Sequence, residues 1–326
     1  MFEAMTTAEL GDEQLREDPT VDELQRRAAE LLGQDAALFL PTATMANQIA
    51  LKLHGRPGDV LVAEETAHVV IYEYGGTAAH AGLMTLGLPG HCGRLTPEQV
   101  SVAAEPSTKV ADQRVTVLAL EDTHNSSGGR VWPLDELDAV VSTARRLELR
   151  VHLDGARLLN AATALGVEPE AISARFDTVT LCLSKGLGCP LGALLAGSEQ
   201  LMERAWREKH LFGGAMRQAG IVAAAGLYAL DHNRARLAQD HANARLIAER
   251  LAGMAGIVLD LATVQTNIVI FRLGPDAPDA AAVVARARER GVLVSAFAAR
   301  TVRLVTHLNV DRDQCEHAAD VLAAVL

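Results

Sequence analysis

Two side chains that could act together in catalysis follow neighbouring apolar segments. Asp154 comes directly after the run Arg150–Leu153, and Lys185 stands in a turn of small residues after the run Thr178–Leu183. Both runs are short, apolar or threonine-rich, and bounded by turn residues, which is typical of strands buried on both faces of a sheet. Because the two side chains are 31 positions apart, about one crossover unit, we expect them at the same edge of the sheet.

The chemistry that fits this pair is that of pyridoxal-5′-phosphate (PLP). A lysine withdrawn from water loses its proton readily and can form an imine with an aldehyde. A carboxylate near it can keep a pyridine nitrogen protonated, so that the ring accepts electrons. Other interpretations stay open for each residue: Asp154 could cap the next helix and pair with Arg157, and Lys185 could extend to water.

The elements that must position these residues alternate between strands and helices, which indicates an α/β fold with a mostly parallel central sheet. Predicted strands are Ala36–Leu40, Asp59–Ala63, Leu83–Leu86, Val115–Leu120, Arg150–Leu153, Thr178–Leu183 and Gly192–Ala196. Predicted helices are Met45–Leu53, a stretch near Val69–Ala79, one from Pro97, and Leu134–Leu147. An earlier helix is expected to open on a capping box of Thr20 and Glu23 and to end at Gly33.

The C-terminal part of the sequence indicates a smaller α+β region. A long helical stretch from Gly197 to Met254 is interrupted at Gly213–Gly214. After it, the pattern predicts strands and helices in the order Thr266–Leu273, Asp279–Arg290, Val292–Val294, Val302–Val305 and a last helix from Asp311. We therefore expect an N-terminal segment and large PLP-binding domain over residues 1–235, and a small domain over residues 236–326.

The composition disfavours several classes of partner. The 326 residues include 30 basic and 41 acidic residues, a formal charge of −11 that repels nucleic acid and anionic membranes. We expect no secretory signal, because the N-terminus has no basic region followed by an apolar stretch, and no membrane-spanning segment, because the apolar runs are too short. Four cysteines without metal-site spacing indicate no metal and a reducing compartment, so the cytoplasm is the expected location.

A series of short segments, in order along nearly the whole chain, resembles one enzyme family. The segments are Gly11–Glu13, Asp18–Val21, Phe39–Asn47, His68, Tyr72–Glu73, Gly75–Gly76, Leu120–Asn125, His152–Arg157, Leu183–Gly188, Gly213–Gln218 and Arg303–His307. The chain thus resembles the low-specificity L-threonine aldolases, which are fold type I PLP enzymes of the aminotransferase-like superfamily. The resemblance implies a lyase that cleaves the Cα–Cβ bond of an amino acid in a reversible retro-aldol reaction.

The same resemblance implies which residues bind the cofactor. Lys185 would hold PLP as an imine, Asp154 would contact the ring nitrogen and His68 would stack on the ring. Without the family, His68 would be interpreted as a residue that caps the helix after it. The full implied set of cofactor-binding residues is Lys185, Asp154, His68, Ala43, Thr44, Ser184, Arg157 and Arg217.

The cofactor phosphate would be held mainly at the start of a helix. Thr44 would bind it together with the first backbone amides of that helix, with Ser184 as a further contact. Arg217 is similar to an arginine that reaches the phosphate of a neighbouring subunit. Without the family, Thr44 would be a plain N-cap and Arg217 an ordinary charge at a helix end.

The implied substrate is a β-hydroxy-α-amino acid such as L-threonine or L-allo-threonine, cleaved to glycine and an aldehyde. Arg157 and Arg303 would bind its carboxylate, and His124 would lie near its β-hydroxyl group. The group that accepts the hydroxyl proton is left open between His68, His124 and a bound water, and Lys185 completes the catalytic set. The family further implies a homodimer or homotetramer with active sites at the subunit interface.

Several positions depart from the family pattern. The resemblance leads us to expect an N-terminal strand and a loop serine before the point where this sequence starts. Ala43 and Ala215 stand where the family usually has glycine, and Asp12–Asp18 replaces a stretch with an aromatic residue and a glycine. Two alternatives therefore stay open: another PLP reaction, such as β-elimination with deamination or glycyl transfer to another aldehyde, and a non-catalytic relative. Intact Asp154 and Lys185 argue against the non-catalytic alternative.

Overall fold

The computed structural model describes residues 1–105 and 114–326. The described chain divides into two compact units. The first comprises Met1–Ser126 with Trp132–Arg234, and the second comprises Ser127–Val131 with Ala235–Leu326. The division at residue 235 that we expect from the sequence is kept as a prediction, and each unit is described by itself below.

A seven-stranded sheet forms the centre of the first unit. Its strands are β1 (Ala36–Leu40), β2 (Val60–Glu64), β3 (Met84–Leu88), β4 (Val115–Glu121), β5 (Arg150–Gly155), β6 (Thr178–Cys182) and β7 (Ala193–Gly197). Their order across the sheet is β1-β7-β6-β5-β4-β2-β3. Strand β7 runs antiparallel to β1 and β6, and the other pairs are parallel. The prediction of an α/β fold with a mostly parallel central sheet is therefore confirmed.

The direction of the strands decides where functional side chains can meet. Since β7 is antiparallel to both of its neighbours, β1 points the same way as β6 and as the rest of the parallel strands. The carboxyl ends of six strands thus share one edge of the sheet, which we call the carboxyl edge. In open α/β sheets, ligands bind outside this edge.

Ten helices belong to the described part of the first unit. They are α1 (Phe2–Thr6), α2 (Pro19–Leu32), α3 (Ala43–His54), α4 (His68–Ile71), α5 (Pro97–Ala104), α6 (Leu134–Arg146), α7 (Leu158–Leu165), α8 (Glu170–Ser173), α9 (Glu199–Leu211) and α10 (Gly220–His232). A π-helical turn at Thr77–Ala81 follows α4, so the helix predicted near Val69–Ala79 is two separate short pieces. None of the helices in the described residues is long and apolar enough to cross a bilayer.

The start of α2 differs from the prediction. The Asp18 carboxylate caps the helix by accepting hydrogen bonds from the amides of Thr20 and Val21. Pro19 takes the first helical position, where its fixed φ fits and its missing N–H costs nothing. The predicted capping box of Thr20 and Glu23 is therefore wrong. The predicted end is confirmed, because Gly33 adopts a left-handed φ of 59°.

The second unit is a four-stranded antiparallel sheet with helices. Its strands are β8 (Ile257–Val258), β9 (Ile268–Leu273), β10 (Ser295–Ala298) and β11 (Thr301–Val305), in the order β10-β11-β9-β8, and its helices are α11 (Leu237–Leu251), α12 (Ala280–Glu289) and α13 (Arg312–Val325). The strand predicted at Val292–Val294 is wrong. Val292 packs into the apolar core as part of the connection after α12, and pairing with β11 begins at Ser295.

Candidate active site

Asp154 lies on β5, one residue before the strand ends, and Lys185 lies just beyond the end of the adjacent strand β6, both at the carboxyl edge. Strands β5 and β6 pair directly, with Asp154 opposite Thr180. Lys185 stands three residues after β6, in the connection to β7, and its carbonyl accepts a 2.9 Å hydrogen bond from the amide of Gly188. The Lys185 side chain is half-buried. The structure therefore brings the predicted carboxylate and amine to one edge of the sheet.

Asp154 is a buried hydrogen-bond acceptor. Its Oδ1 accepts a bond from the Ala156 amide (3.0 Å), and its Oδ2 accepts one from Nδ2 of Asn47 (2.8 Å). Helix α7 begins at Leu158 without a side-chain N-cap among the described residues, so Asp154 does not cap it. Each oxygen of this carboxylate thus accepts one N–H donor, and its remaining lone pairs could accept a further donor such as a protonated ring nitrogen.

His68 begins helix α4 and is fixed from two sides. Its Nδ1 lies 2.8 Å from Oε1 of Glu73, a wholly buried carboxylate. Its backbone amide donates to Oε2 of Glu121 at the end of β4 (2.7 Å). Burial lowers the pKa of His68, but the hydrogen bond to Glu73 and the charges of Asp154, Glu73 and Glu121 outweigh it, so that the pKa is raised above its usual value.

Glu73 also accepts hydrogen bonds from the side-chain amides of two residues on helix α3. Its Oε1 accepts a 2.9 Å bond from Asn47, and its Oε2 accepts one from Gln48. Acceptor atoms of His68, Glu73 and Asp154 lie within 4.8 Å of one another. Such a group could hold a cation, but here N–H donors of Asn47 and Gln48 already occupy the carboxylates. We therefore interpret it as a hydrogen-bonded cluster.

His124 is more enclosed than the sequence suggested. Its side chain is 1% exposed, and its Nε2 lies 3.1 Å from Oε2 of Glu64 and 3.9 Å from Oε2 of Glu121. A Cβ at Gly93 would lie 2.1 Å from the imidazole ring, so this glycine closes over it. Burial lowers the pKa of His124, but the bond to Glu64 and the charges of Glu121, Glu64 and Asp154 raise it overall.

Helix α3 presents its N-terminus at the carboxyl edge, directly after β1. Thr42 is the N-cap, and its hydroxyl accepts a bond from the amide of Met45 (3.1 Å). Ala43 and Thr44 are the first two helical residues, so the interpretation of Thr44 as the N-cap is wrong and the predicted start at Met45 is two residues late. The first amides of a helix lack partners inside it and attract anions.

The remaining predicted residues lie in different places. Ser184 is exposed in the turn that carries Lys185, with its Oγ 3.4 Å from Sγ of Cys182. Arg157 is half-buried at the end of β5 and donates to Oδ1 of Asn125 (3.3 Å). Arg303 lies on β11 of the second unit, and its predicted role stays a prediction of the resemblance.

Arg217 is exposed in the connection between α9 and α10. It pairs with Asp12 of the same chain, with 2.6 Å between Nη1 and Oδ2. Glu13 of the N-terminal segment forms a buried ion pair with Lys209 of α9. It also accepts a 3.0 Å hydrogen bond from the amide of Met216, which lies in the connection between α9 and α10. Burial lowers the pKa of Lys209 to about 7.

Sequence reasoning missed Asn47, Glu73 and Glu64 as members of this site. Asn47 did give a signal: it is spaced three and four residues before Ala50 and Leu51, so it lies on the apolar face of its helix. A polar side chain on such a face needs a buried partner. Glu73 and Glu64 lie in or beside turns, where a glutamate is usually a solvated residue.

Comparisons with known proteins show which family and which proteins this chain is similar to. Residues 1–273 match the family model described as β-eliminating lyase. The low specificity L-threonine aldolase of Escherichia coli K12 is 41% identical over 320 residues, which cover 98% of this chain and 93% of the relative. The low-specificity L-threonine aldolase 1 of Arabidopsis thaliana is 35% identical over 315 residues, 94% of this chain and 87% of the relative.

Two solved structures share the fold. Threonine aldolase of Leishmania major superposes with a TM-score of 0.80 at 20% identity, covering 95% of this chain and 91% of the other. A structure of SPT, serine palmitoyltransferase, with PLP superposes with a TM-score of 0.76 at 17% identity, covering 99% of this chain and 81% of the other.

Proposed function

The chain belongs to the β-eliminating lyase family, and from that premise we propose that it is a PLP-dependent aldolase. Its substrates are L-threonine, L-allo-threonine and related β-hydroxy-α-amino acids, which it cleaves to glycine and an aldehyde. The observation that carries this proposal is the placement of Asp154 and Lys185 at the ends of adjacent parallel strands. Curated relatives named as low-specificity threonine aldolases support the choice of substrate.

The residues at the carboxyl edge fit PLP by the chemistry of their donor and acceptor atoms. Lys185 would hold the aldehyde carbon, the buried acceptor Asp154 would hold the ring nitrogen, and the amides that start α3 at Ala43 and Thr44 would hold the phosphate. When bound, PLP supplies an electron sink for the pair of electrons left by the broken Cα–Cβ bond.

The substrate carboxylate would be bound by Arg157. Its guanidinium is half-buried at the carboxyl edge, and a planar fork of this kind binds a carboxylate through two parallel hydrogen bonds. Such a clamp fixes the rotation of the amino acid about Cα and so selects which of its bonds is broken. Arginine at this position therefore supports reaction specificity as well as affinity.

The hydroxyl proton of the substrate must leave as the Cα–Cβ bond breaks. We assign its acceptance to Nε2 of His68, either directly or through a water, because Nδ1 is engaged by Glu73 and 27% of the side chain is accessible. His124 fits this role less well, since its Nε2 faces Glu64 and its side chain is 1% exposed.

The test is release of acetaldehyde and glycine from L-allo-threonine and L-threonine by the PLP-loaded protein. We expect release by the wild type and its loss in Lys185→Ala, with the absorbance of the lysine-bound cofactor also lost. Lys52→Ala, which removes a half-buried lysine paired with Glu208, is the matched control and should keep both. PLP binding without release would favour β-elimination or glycyl transfer, and failure to bind PLP would contradict the proposal.

The subunit arrangement, the location and the partners of the enzyme are inferred from the same family. We propose a homodimer or homotetramer with active sites at the subunit interface, located in the cytoplasm and without nucleic-acid or membrane partners. Exposed apolar side chains, among them Tyr74, Leu211 and Ile71, support an interface between copies of the chain.

A further inference from the structure

One buried amide joins the two carboxylates on which the proposed site depends. The Nδ2 group of Asn47 donates to Oδ2 of Asp154 at 2.8 Å and to Oε1 of Glu73 at 2.9 Å. Asn47 is 1% exposed and lies on helix α3, far along the chain from both partners. Because Oε1 of Glu73 also lies 2.8 Å from His68, a single side chain connects the acceptor for the cofactor ring with the proposed base.

The orientation of this amide is dictated by charge. If the amide were turned over, its oxygen would face one oxygen of each carboxylate, and three acceptor atoms would meet without a proton between them. With the nitrogen in this place, both N–H groups are used, and the two negative side chains are bridged. Buried carboxylates this close repel each other unless a donor stands between them.

The oxygen of Asn47 begins a chain of hydrogen bonds in which the donor and the acceptor of each bond are fixed. Its Oδ1 accepts only, so Nε2 of His152 at 3.1 Å must carry a proton and donate. Burial lowers the pKa of His152 to about 4 and outweighs the charge of Asp154 and a hydrogen bond with the Thr178 backbone, which both raise it. The ring is therefore neutral, and with Nε2 protonated Nδ1 is an acceptor. The hydroxyl of Thr178 at 2.9 Å must then donate to Nδ1, which leaves its oxygen to accept from Nε2 of His54 at 2.7 Å.

We propose that Asn47 is a positioning residue for the cofactor and the base, and that His152 and Thr178 fix the direction of its amide. This inference deepens the proposed function and rests on it, since it takes Asp154 as the acceptor for the ring nitrogen and His68 as the base. Asn47 touches neither substrate nor cofactor in this scheme. It acts by keeping Asp154 and Glu73 in their places.

Asn47→Asp tests the bridge, because it keeps the size and the oxygen that His152 needs but removes both N–H donors. We expect PLP to bind at least about tenfold more weakly, since hydrogen bonds to charged groups are the strong ones. In the apoprotein, we expect the pKa of His68, followed by NMR, to rise with the added negative charge. Asn243→Asp, a buried asparagine of the second unit, is the matched control and should change neither quantity.

Thr178→Val tests the chain of hydrogen bonds without touching the carboxylates. In the wild-type apoprotein, nitrogen-detected NMR should show His152 protonated at Nε2 and unprotonated at Nδ1. In the variant, Nε2 should stay protonated, because Oδ1 of Asn47 still accepts from it, and the Nδ1 resonance should shift, because its hydroxyl donor is lost. A wild-type His152 protonated at Nδ1 would overturn the proposed direction.

The two proposals fail in distinguishable ways. If the wild type bound no PLP, the proposed function would fall, whereas the pKa of His68 and the tautomer of His152 in the apoprotein would still decide the role of Asn47. If Asn47→Asp kept its PLP affinity within twofold and left the pKa of His68 unchanged, the positioning role would be overturned while the aldolase assignment stood.

Discussion

At the scale of single residues, the pair of Glu73 and His68 would link protonation to the proposed catalysis. The buried Glu73 carboxylate raises the pKa of His68 against the opposing effect of burial. If neutral His68 accepts the substrate proton, activity should rise with pH as His68 loses its own proton, at a pH above the usual value for histidine.

Glu73→Gln tests this coupling. Loss of the negative charge should lower the pKa of His68, so the rise of kcat/KM should move to lower pH. The measurement is the pH profile of the PLP-loaded enzyme, with the exposed Glu98→Gln on α5 as control. A rise that stayed in place, or moved to higher pH, would show that His68 is not the group that titrates.

The residues of the site differ in how well the sequence predicted them. Asp154 and Lys185 could be placed at one edge because each follows an apolar run, and strand ends are readable from such runs. Asn47 bonds to Glu73 and Asp154 across 26 and 107 positions of chain. Such contacts depend on how a helix and a turn pack, which local patterns do not encode.

At the scale of elements, Asp18 accepts hydrogen bonds from the first amides of two helices, α2 and α10. Its Oδ1 accepts the bonds that cap α2, and its Oδ2 accepts from the amide of Gly220 at the start of α10 (2.9 Å). It is 1% exposed, so these bonds are shielded from water.

Asp18→Ala should therefore lower the free energy of unfolding by more than the roughly 1 kcal/mol of an ordinary N-cap. Chemical denaturation measures this change. Asp22→Ala, which removes an exposed carboxylate from the first turn of the same helix, should cost about 0.5 kcal/mol. Equal effects of the two substitutions would mean that the contact with α10 adds nothing.

Each element that the sequence did not predict correctly has a physical reason. The stretch from Gly197 to Met254 contains a second break, between α10 and α11, which its alanine- and arginine-rich composition hid. Val292–Val294 has strand propensity, but packing of Val292 in the core overrides it. The antiparallel direction of β7 could not be read from an apolar run, because strand direction is set by the connection and its partners.

At the scale of the whole molecule, the sequence indicated the fold class and the family, and both are confirmed. The reason is that the resemblance extends along nearly the whole chain. The domain division stays a prediction, and so do the subunit count and the compartment, which a single chain does not show.

Arg217→Ala tests the shared site. If Arg217 reaches the phosphate bound by a neighbouring copy, the variant should bind PLP at least about fivefold more weakly, because a charge-assisted hydrogen bond is lost. Light scattering should show the same subunit count for the variant and the wild type. Asp12→Asn, which weakens the pair with Arg217 inside the chain, is the control and should keep its PLP affinity. Full affinity in Arg217→Ala would refute a shared site.

The place of β7 in the sheet has a consequence for how the enzyme is made on the ribosome. Strand β1 lies at the end of the strand order with β7 as its neighbour, so it cannot join the sheet before residue 193 has been synthesised. Helix α3, whose first amides are proposed to hold the phosphate, follows directly on β1. Long-range pairing of this kind is slow to form. A nascent chain therefore contains Lys185 before it can place the start of α3 at the carboxyl edge, and we expect the pocket proposed for the phosphate to be completed late in folding.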